Sequence, residues 1–263
     1  MNIIDCITVN VKDYPFLSWD KKFPNGKIKL RPLCFNSDWD PFLDKINYLE
    51  KIEQKLEEYL RKGKTILPYP DLLFNSLNTS FRNNIKVLII GQDPYININE
   101  EGIPQACGLS FSTPYGYPAP PSLHNIYQNM VKFGHMKTKP RDGCIMGWVV
   151  QGCLMINSAW TTLHKQSDAH KTIWSKFTKD YLIYLNDDCE NLVVLSWGSH
   201  AHELSANIDP KKHLIIRSSH PSPMSYMTNG RYPAFMDVDH FGLTNNYLKS
   251  HDKDPIIWDV IDL

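Results

Sequence analysis

The sequence has few cysteines, and none of them form the pairs that metal sites require. Its six cysteines are scattered along the chain, at Cys6, Cys34, Cys107, Cys144, Cys153 and Cys189. Structural zinc and iron-sulfur sites need closely spaced cysteine or histidine ligands, such as a Cys-x-x-Cys pair, and the sequence contains no such pair. We therefore predict reduced thiols, no metal and no cofactor.

The chain has no excess charge of either sign. Lysine and arginine total 28, as do aspartate and glutamate, so the formal net charge is 0. A neutral protein has no overall field that attracts a polyanion. If this chain binds nucleic acid, its contacts to phosphate must come from local clusters, backbone amides and short hydroxyl side chains.

Long apolar runs are missing as well. No stretch approaches the ~20 apolar residues that a membrane helix requires. The opening residues, MNIIDCITVNVKDYPF, contain no basic leader before an apolar run. We expect an intracellular protein, not secreted and without membrane contact. Its compartment is expected to be the nucleus for a eukaryotic protein or for a virus of a nuclear host, and the cytoplasm otherwise.

The composition is that of an ordinary soluble domain, with 42% hydrophobic and 12% aromatic residues. Residues 1–36 mix charged, aromatic, proline and glycine positions without a clear period. We interpret them as an N-terminal arm of unknown role that lies on the domain. Residues 37–263 are predicted to form a single catalytic domain.

Four short apolar runs predict buried strands, at residues 86–90, 153–157, 191–197 and 213–219. Helical patterns lie between them, notably after Pro121 and after His170. Strands that alternate with helices and are apolar throughout are typical of a parallel sheet covered on both faces. The sequence therefore predicts a three-layer α/β/α fold.

Polar, chemically active segments follow each predicted strand. GQDPY follows the first, Asn157 ends the second, GSHAH follows the third and SSHPSPMS ends the fourth. In open α/β sheets, ligands bind beyond the carboxyl ends of the strands. We expect these four segments to meet at one edge of the sheet.

Asp93 and His220 are the candidate catalytic residues at this edge. Asp93 follows a strand and precedes Pro94, whereas His220 opens a loop that is rich in proline and serine. Taken alone, each residue has an ordinary interpretation: Asp93 as a turn residue that binds backbone amides, and His220 as a structural histidine. Their expected convergence favours a catalytic pair.

Seven segments now carry a resemblance to a known family. In order, they are IIGQDPY, QACGLSFS, PPSLHNIY, GCLMIN, LSWGSHA, SSHPSPMS and DPIIW. Between Trp39 and Trp258, the chain resembles the uracil-DNA glycosylases of the main uracil-specific class (family 1). The resemblance implies a four-stranded, mostly parallel central sheet. It also implies a metal-independent enzyme of base excision repair, which flips uracil out of single- or double-stranded DNA and leaves an abasic site.

The resemblance also implies a role for each catalytic residue. Asp93 orients the attacking water and stabilises positive charge on the sugar, and a neutral His220 donates to the uracil oxygen. Cleavage of the bond leaves an oxocarbenium-like sugar and a uracil anion, so a carboxylate and a donor stabilise opposite charges. Loss of one such donor typically costs ~3 kcal/mol.

Four further residues are implied to bind uracil. The amide of Asn157 pairs with the uracil edge, Phe111 stacks on the flipped base, Tyr95 occupies the space of a thymine methyl, and Gln92 contacts the base through its backbone amide or its side chain. Without the other motifs, Asn157 would be read as a cap and Phe111 as a core aromatic.

DNA binding is implied for a set of short polar and proline residues, namely Pro120, Pro121, Ser122, Gly198, Ser199, Ser222 and Ser225. Met224 is implied to be the apolar wedge that enters the base stack. Three positions depart from the family pattern: Ile96 and Cys107 replace histidines, and Met224 replaces a leucine. The segment after Ser225, YMTNGRYPAFMDVDHF, is also longer than usual.

Other classes of function are less well supported. His200, His202 and His213 could suggest a metal site, but they lack the carboxylate and the spacing of common zinc sites. A serine hydrolase is disfavoured because no G-x-S-x-G occurs. The main alternative is a replication accessory protein that keeps the fold and tethers a polymerase. The expected partners are uracil-containing DNA, replication or repair proteins and a protein inhibitor, and the expected state is a monomer.

Overall fold

A four-stranded parallel sheet forms the centre of the protein. The computed structural model describes residues 11–259. Its strands are β2 (Val87–Gly91), β3 (Cys153–Asn157), β5 (Val193–Trp197) and β6 (Leu214–Ser218). They lie in the order β3-β2-β5-β6, and all three strand pairs are parallel. A separate antiparallel pair is formed by β1 (Ile66–Leu67) and β4 (Thr162–Leu163). The predicted sheet is confirmed, and it is wholly rather than mostly parallel.

Helices lie on both faces of this sheet. Within residues 11–259 they are α1 (Trp19–Lys22), α2 (Asp40–Leu43), α3 (Leu49–Arg61), α4 (Asn75–Asn78), α5 (Pro121–Lys132), α6 (Met146–Val149), α7 (Lys171–Asp188), α8 (Ser199–Ser205) and α9 (His240–Ser250). Short 3₁₀ helices occur at Val11–Asp13, Arg31–Leu33, Ser37–Trp39, Pro70–Leu72, Arg82–Asn84 and Phe235–Asp237.

Each strand of the four-stranded sheet contributes to two hydrophobic cores, because successive side chains of a strand point to opposite faces. In β2, Leu88 and Ile90 pack into the core formed with α3 and α7. Val87 and Ile89 pack into the other core, with α5 and α9. All five residues of β2 are buried. The continuous apolar runs in the sequence follow from this burial on both faces.

The described part of the N-terminal arm packs against both cores. Trp19, Ile28 and Leu30 are buried in the first, Phe16 is buried in the second, and the indole N–H of Trp19 donates to the Pro68 carbonyl over 2.8 Å. Residues 1–10 of the predicted arm, including Cys6, lie outside the described residues, as do residues 260–263. A domain boundary between residues 36 and 37 stays a prediction.

Two further predictions concern thiols and membranes. Cys34, Cys107, Cys153 and Cys189 are buried free thiols. Desolvation raises the pKa of Cys34 to about 12, so this thiol stays protonated at neutral pH. No helix within the described range is both long and apolar enough to cross a membrane.

Candidate active site

A cavity of about 260 Å³ lies at the carboxyl ends of β2 and β3. We call it the base pocket. It brings together all six residues that the sequence predicted to act on uracil, namely Gln92, Asp93, Tyr95, Phe111, Asn157 and His220. Ser122, predicted to bind DNA, lines it as well. The convergence follows from the parallel topology, in which β2, β3 and β6 all end at the same edge.

One carboxylate oxygen of Asp93 is hydrogen-bonded to the protein, and the other has no protein partner. Its Oδ2 accepts from the backbone N–H of Asp168 over 2.8 Å. The hydroxyl of Thr162 lies 2.9 Å from the same oxygen and also 2.8 Å from the Gln166 carbonyl. Its Oδ1 is buried and has no protein partner. A carboxylate fixed in this way presents one acceptor to a water or a sugar in the pocket.

Burial raises the pKa of Asp93 from its ordinary value to about 6. The amide of Asp168 and the hydroxyl of Thr162 oppose this shift because they stabilise the charged form, whereas the Asp168 carboxylate adds to it. The group is therefore mainly ionised at neutral pH. It is also a stronger base than an exposed aspartate.

The ring of His220 is anchored by the backbone of its own loop. Its Nδ1 lies 3.0 Å from the backbone N–H of Ser222 and accepts from it. In a neutral imidazole, an accepting Nδ1 leaves the proton on Nε2. Burial, reinforced by the nearby His200, lowers the pKa of His220 to about 4. At neutral pH, His220 is therefore an uncharged donor through Nε2.

Gly198 lets the ring of His220 come close to the end of β5. Its φ of 86° lies in the left-handed region that favours glycine. A Cβ at this position would lie 2.8 Å from the His220 Cβ and 3.3 Å from its Cδ2. Position 198 must therefore be glycine, because His220, in the loop after β6, occupies the space that a side chain would need.

Gly91 likewise leaves space for the side chain of Asn157. The two residues are register partners at the ends of β2 and β3. A Cβ at position 91 would collide with Oδ1 of Asn157 and with the side chain of Ser110. The absence of a side chain at Gly91 therefore leaves the Asn157 amide room at the wall of the pocket.

Two aromatic residues shape the rest of the pocket. Phe111 has a φ of 63° and its ring centroid lies 5.9 Å from that of His220. Its other neighbour, Trp197, packs edge-on at 5.5 Å. The hydroxyl of Tyr95 donates to the Phe111 carbonyl over 3.0 Å. This bond fixes the Tyr95 ring, because a bonded hydroxyl restricts its rotation.

Sequence reasoning missed Thr162 and Asp168, which position Asp93. Both lie in the irregular stretch around β4, where no period indicates a role. Asp168 has a φ of 58°, and its carboxylate accepts from the side-chain amide of Gln92 at 3.0 and 2.9 Å. The Gln92 side chain is thus engaged by Asp168. The only available signal was an aspartate in a polar turn, which is common.

Several of the predicted DNA-binding residues lie at or beside the pocket: Ser122 lines it, and Gly198, Ser199 and Ser225 line an adjoining cavity that shares His220 with it. Pro120 precedes α5, which begins at Pro121, and Gly198 precedes α8, whose first residue is Ser199. The hydroxyls of Ser222 and Ser225 lie 3.0 Å apart, and that of Ser225 donates to the His220 carbonyl. The side chain of Met224 is 93% exposed. An apolar side chain so exposed is available for insertion into another molecule.

Two of the histidines that could suggest a metal site, His202 and His213, make hydrogen bonds within the fold. His202 Nε2 lies 3.1 Å from the Ser196 carbonyl oxygen. His213 accepts from the backbone N–H of Leu192 over 3.1 Å. These contacts hold α8 and the start of β6 against β5. The two histidines therefore act as ordinary hydrogen-bonding groups.

The comparisons with known proteins agree with this geometry. A family model of the uracil DNA glycosylase superfamily matches residues 79–249. The probable uracil-DNA glycosylase of Acanthamoeba polyphaga mimivirus is 45% identical over 273 residues, which cover 98% of this chain and 74% of that protein. The crystal structure of mimivirus uracil-DNA glycosylase has a TM-score of 0.95 at 43% identity, covering 99% of this chain and 100% of that one. A mimivirus UNG variant in complex with UGI has a TM-score of 0.93 at 44% identity, covering 97% and 100%.

The parallel sheet, with a buried carboxylate and a neutral histidine at its carboxyl edge, fits an N-glycosidase of the α/β class. The family match covers most of the chain and includes every residue of the base pocket. The chain belongs to the uracil DNA glycosylase superfamily.

Proposed function

We propose that this chain hydrolyses the N-glycosidic bond of deoxyuridine in DNA, with Asp93 and His220 as its catalytic residues. The observation that carries the proposal is the buried Oδ1 of Asp93, which has no partner in a pocket that also holds a neutral imidazole donor. A free acceptor and a donor in one cavity match the opposite charges that develop when the bond breaks.

The reaction is a substitution at C1′ of deoxyribose. As the C1′–N1 bond breaks, its electron pair leaves with the base, and His220 Nε2–H stabilises the negative charge on the uracil oxygen. The Asp93 carboxylate stabilises the cationic sugar and orients a water. The water oxygen then bonds to C1′ and one of its protons passes to Asp93. The uracil anion takes up a proton and Asp93 returns its proton to solvent, so the products are free uracil and an abasic site.

Base selection is proposed for Asn157, Phe111 and Tyr95. The Asn157 amide offers one donor and one acceptor, which match N3–H and O4 of uracil but not the reversed pattern of cytosine. Phe111 stacks on the base. Tyr95, held by its bond to the Phe111 carbonyl, excludes the methyl of thymine by steric conflict. Gln92 contributes its backbone amide, since its side chain binds Asp168.

DNA binding is proposed for the segments at the rim of the pocket. Backbone amides and hydroxyls of Ser122, Gly198–Ser199, Ser222 and Ser225 contact phosphates, which suits a chain of zero net charge. Pro120 and Pro121 have no backbone N–H and contact the DNA backbone by packing against it. The exposed Met224 enters the stack that the flipped uracil leaves. Such an insertion offsets part of the cost of unstacking.

The proposed biological setting follows the relatives. The protein acts as a monomer inside the cell, in the compartment that holds the DNA, and begins base excision repair. A mimivirus relative was crystallised in complex with UGI. We extend this binding to the present chain, with the inhibitor covering the same face as DNA.

The experiment measures the release of free uracil from single- and double-stranded oligonucleotides in EDTA. Wild type is expected to release uracil, and Asp93→Asn and His220→Leu are each expected to slow release by about a hundredfold or more. Asp252→Asn, which changes an exposed aspartate outside the pocket, is the matched control and should keep the wild-type rate. Binding of this DNA without uracil release would refute the proposal in favour of the accessory protein.

A further inference from the structure

Half of the loop that positions Asp93 is exposed to solvent. The loop consists of residues 162–169, and we call it the supporting loop. The hydroxyl of Thr162 and the backbone N–H of Asp168 lie 2.9 and 2.8 Å from Oδ2 of Asp93. Residues 165–168, however, are exposed, so packing contributes little to holding them. Hydrogen bonds must therefore keep this loop in the shape that serves Asp93.

A buried hydrogen bond joins the two ends of the supporting loop. Thr161 precedes the loop and His170 follows it, and both residues are fully buried, with 0% exposure. Oγ1 of Thr161 lies 2.8 Å from Nδ1 of His170. The same oxygen accepts from the indole N–H of Trp174, in the first turn of α7, over 2.6 Å. This pair of contacts ties both ends of the loop to the helix behind it.

The hydrogen bond requires His170 to act as an acceptor. Within residues 11–259, the Thr161 hydroxyl has no other acceptor for its proton, and Nε2 of His170 has no hydrogen-bond partner. A proton on Nε2 therefore leaves fewer buried groups unpaired than a proton on Nδ1 would. Burial also lowers the pKa of His170 to about 4. At neutral pH the ring is uncharged, and its Nδ1 accepts from Thr161.

Each end of this bond lies next to a group that holds Asp93. Thr161 adjoins Thr162, and His170 follows Asp168 by two residues. Thr162 and Asp168 contact the same oxygen of Asp93. A change in the distance between Thr161 and His170 would therefore move one or both of these groups away from the carboxylate.

The other contacts of Asp168 are more open to water. Its bond to Asp93 is exposed, as is the contact between its carboxylate and the side-chain amide of Gln92. The bond between His170 and Thr161 is buried. Water competes with exposed hydrogen bonds and is kept from buried ones, so the buried bond is the firmer anchor of this part of the loop.

We propose that His170 is a positioning residue for the glycosidase reaction, because its bond to Thr161 fixes the supporting loop and so holds Thr162 and Asp168 against Asp93. The proposal rests on the proposed function, in which Asp93 is the catalytic carboxylate. His170 is not among the described residues that line the base pocket. It acts on the reaction through Asp93, by keeping Oδ2 bonded while Oδ1 faces the water.

The test compares two substitutions of His170. His170→Leu keeps most of the bulk of the ring without its acceptor, whereas the amide oxygen of His170→Asn can take the place of Nδ1. Weaker hydrogen bonds to a carboxylate raise its pKa. In His170→Leu, the acid limb of the single-turnover rate should therefore move up by about one unit, the effect of weakening one hydrogen bond to a charged group.

The rate at alkaline pH reports placement separately, because Asp93 is ionised there in every variant. It should fall roughly tenfold in His170→Leu, through misplacement of the carboxylate. His170→Asn should restore the wild-type acid limb and most of the rate. The titratable groups that face Asp93 are the Asp168 carboxylate and the neutral His220 of the base pocket, and all variants keep both.

His213→Leu is the matched control. His213 is also buried and accepts through Nδ1, from the backbone N–H of Leu192. It precedes β6, at the end of that strand opposite to the base pocket. Its replacement should lower thermal stability, as His170→Leu does, and leave the pH profile unchanged.

Thr161→Val removes the same hydrogen bond from its other end. It should reproduce the shifted acid limb of His170→Leu. The double variant should be no slower than the slower single variant, because both changes break one bond. If His170→Leu does not fold, Thr161→Val decides the question by itself.

A carbon-13 NMR titration of the Asp93 carboxyl separates this proposal from the proposed function, since it needs no turnover. A raised pKa in His170→Leu, with wild-type values in His170→Asn and His213→Leu, supports the positioning role. If wild type releases no uracil, the proposed function fails whatever the titration shows. If His170→Leu and Thr161→Val both titrate as wild type, or if His213→Leu shifts equally, the positioning role is wrong and the proposed function stands.

Discussion

Replacement of Gly198 by alanine tests whether the histidine donor needs its observed position. An added Cβ would lie 2.8 Å from the His220 Cβ, about 0.6 Å inside the shortest ordinary contact of 3.4 Å. Either the His220 ring or the α8 entry must move. A misplacement of about 1 Å in a catalytic group costs about a hundredfold in rate. Loss of the donor altogether costs about 2.7–4 kcal/mol.

We therefore expect Gly198→Ala to lower kcat for uracil release about a hundredfold. Alanine at the φ of 86° also strains the backbone by about 1–2 kcal/mol, and this contribution must be separated from the clash. Gly134→Ala provides the control, because Gly134 has a φ of 77° and no heavy atom lies within 4 Å of an added Cβ. Both variants should lose thermal stability through backbone strain, Gly198→Ala should lose more because of the clash, and only Gly198→Ala should lose activity.

The assay is a single-turnover measurement with excess enzyme, which reports the chemical step rather than product release. In a His220→Ala background, Gly198→Ala should cost little more, because the donor that it displaces is already gone. Equal rates for Gly198→Ala and Gly134→Ala would refute the reasoning. The reasoning would also be refuted if the activation free-energy costs of the changes at positions 198 and 220 were fully additive.

Three other predictions concern the pocket and its rim. Since the pKa of Asp93 is about 6 and its carboxylate is the active form, kcat/KM should fall about tenfold per unit as pH decreases below 6. A pH profile that stays flat to pH 5 would contradict this role. Tyr95→Ala should release thymine from ordinary DNA, detectable as free base by chromatography, whereas Tyr95→Phe, which keeps the ring, should not. Met224→Ala should slow release from duplex DNA more than from single strands, because only the duplex must be unstacked and unpaired, and equal slowing of both would argue against the wedge.

Much of the fold was predictable because each central strand is buried on both faces. The apolar runs at 86–90 and 153–157 lie within one residue of β2 and β3. The predicted family, α/β fold and enzyme class are confirmed by the superfamily match and by the mimivirus relatives. The rule that parallel strands present their carboxyl ends at one edge then placed Asp93, Asn157 and His220 together.

The parts that could not be predicted depend on backbone geometry and long-range contacts. Asp168 positions Asp93 through an N–H in a left-handed turn, and no periodic pattern indicates such a turn. The binding of the Gln92 amide by Asp168 joins residues 76 positions apart. Likewise, the sequence showed that the segment after Ser225 is long, but not that Arg217 and Arg231 would both lie beside the ring of Tyr232. The individual roles of the site residues stay predictions.

The wholly parallel sheet has a consequence for how the enzyme is made. No two neighbouring strands of this sheet can form a local hairpin, and β2 must pair with β3 and β5, which follow much later in the chain. Pairing over such separations is slow. His220 lies two residues after the last strand of this sheet, β6. A nascent chain can therefore acquire its carboxylate and much of its pocket wall early, but it gains its donor only after β6 has been synthesised.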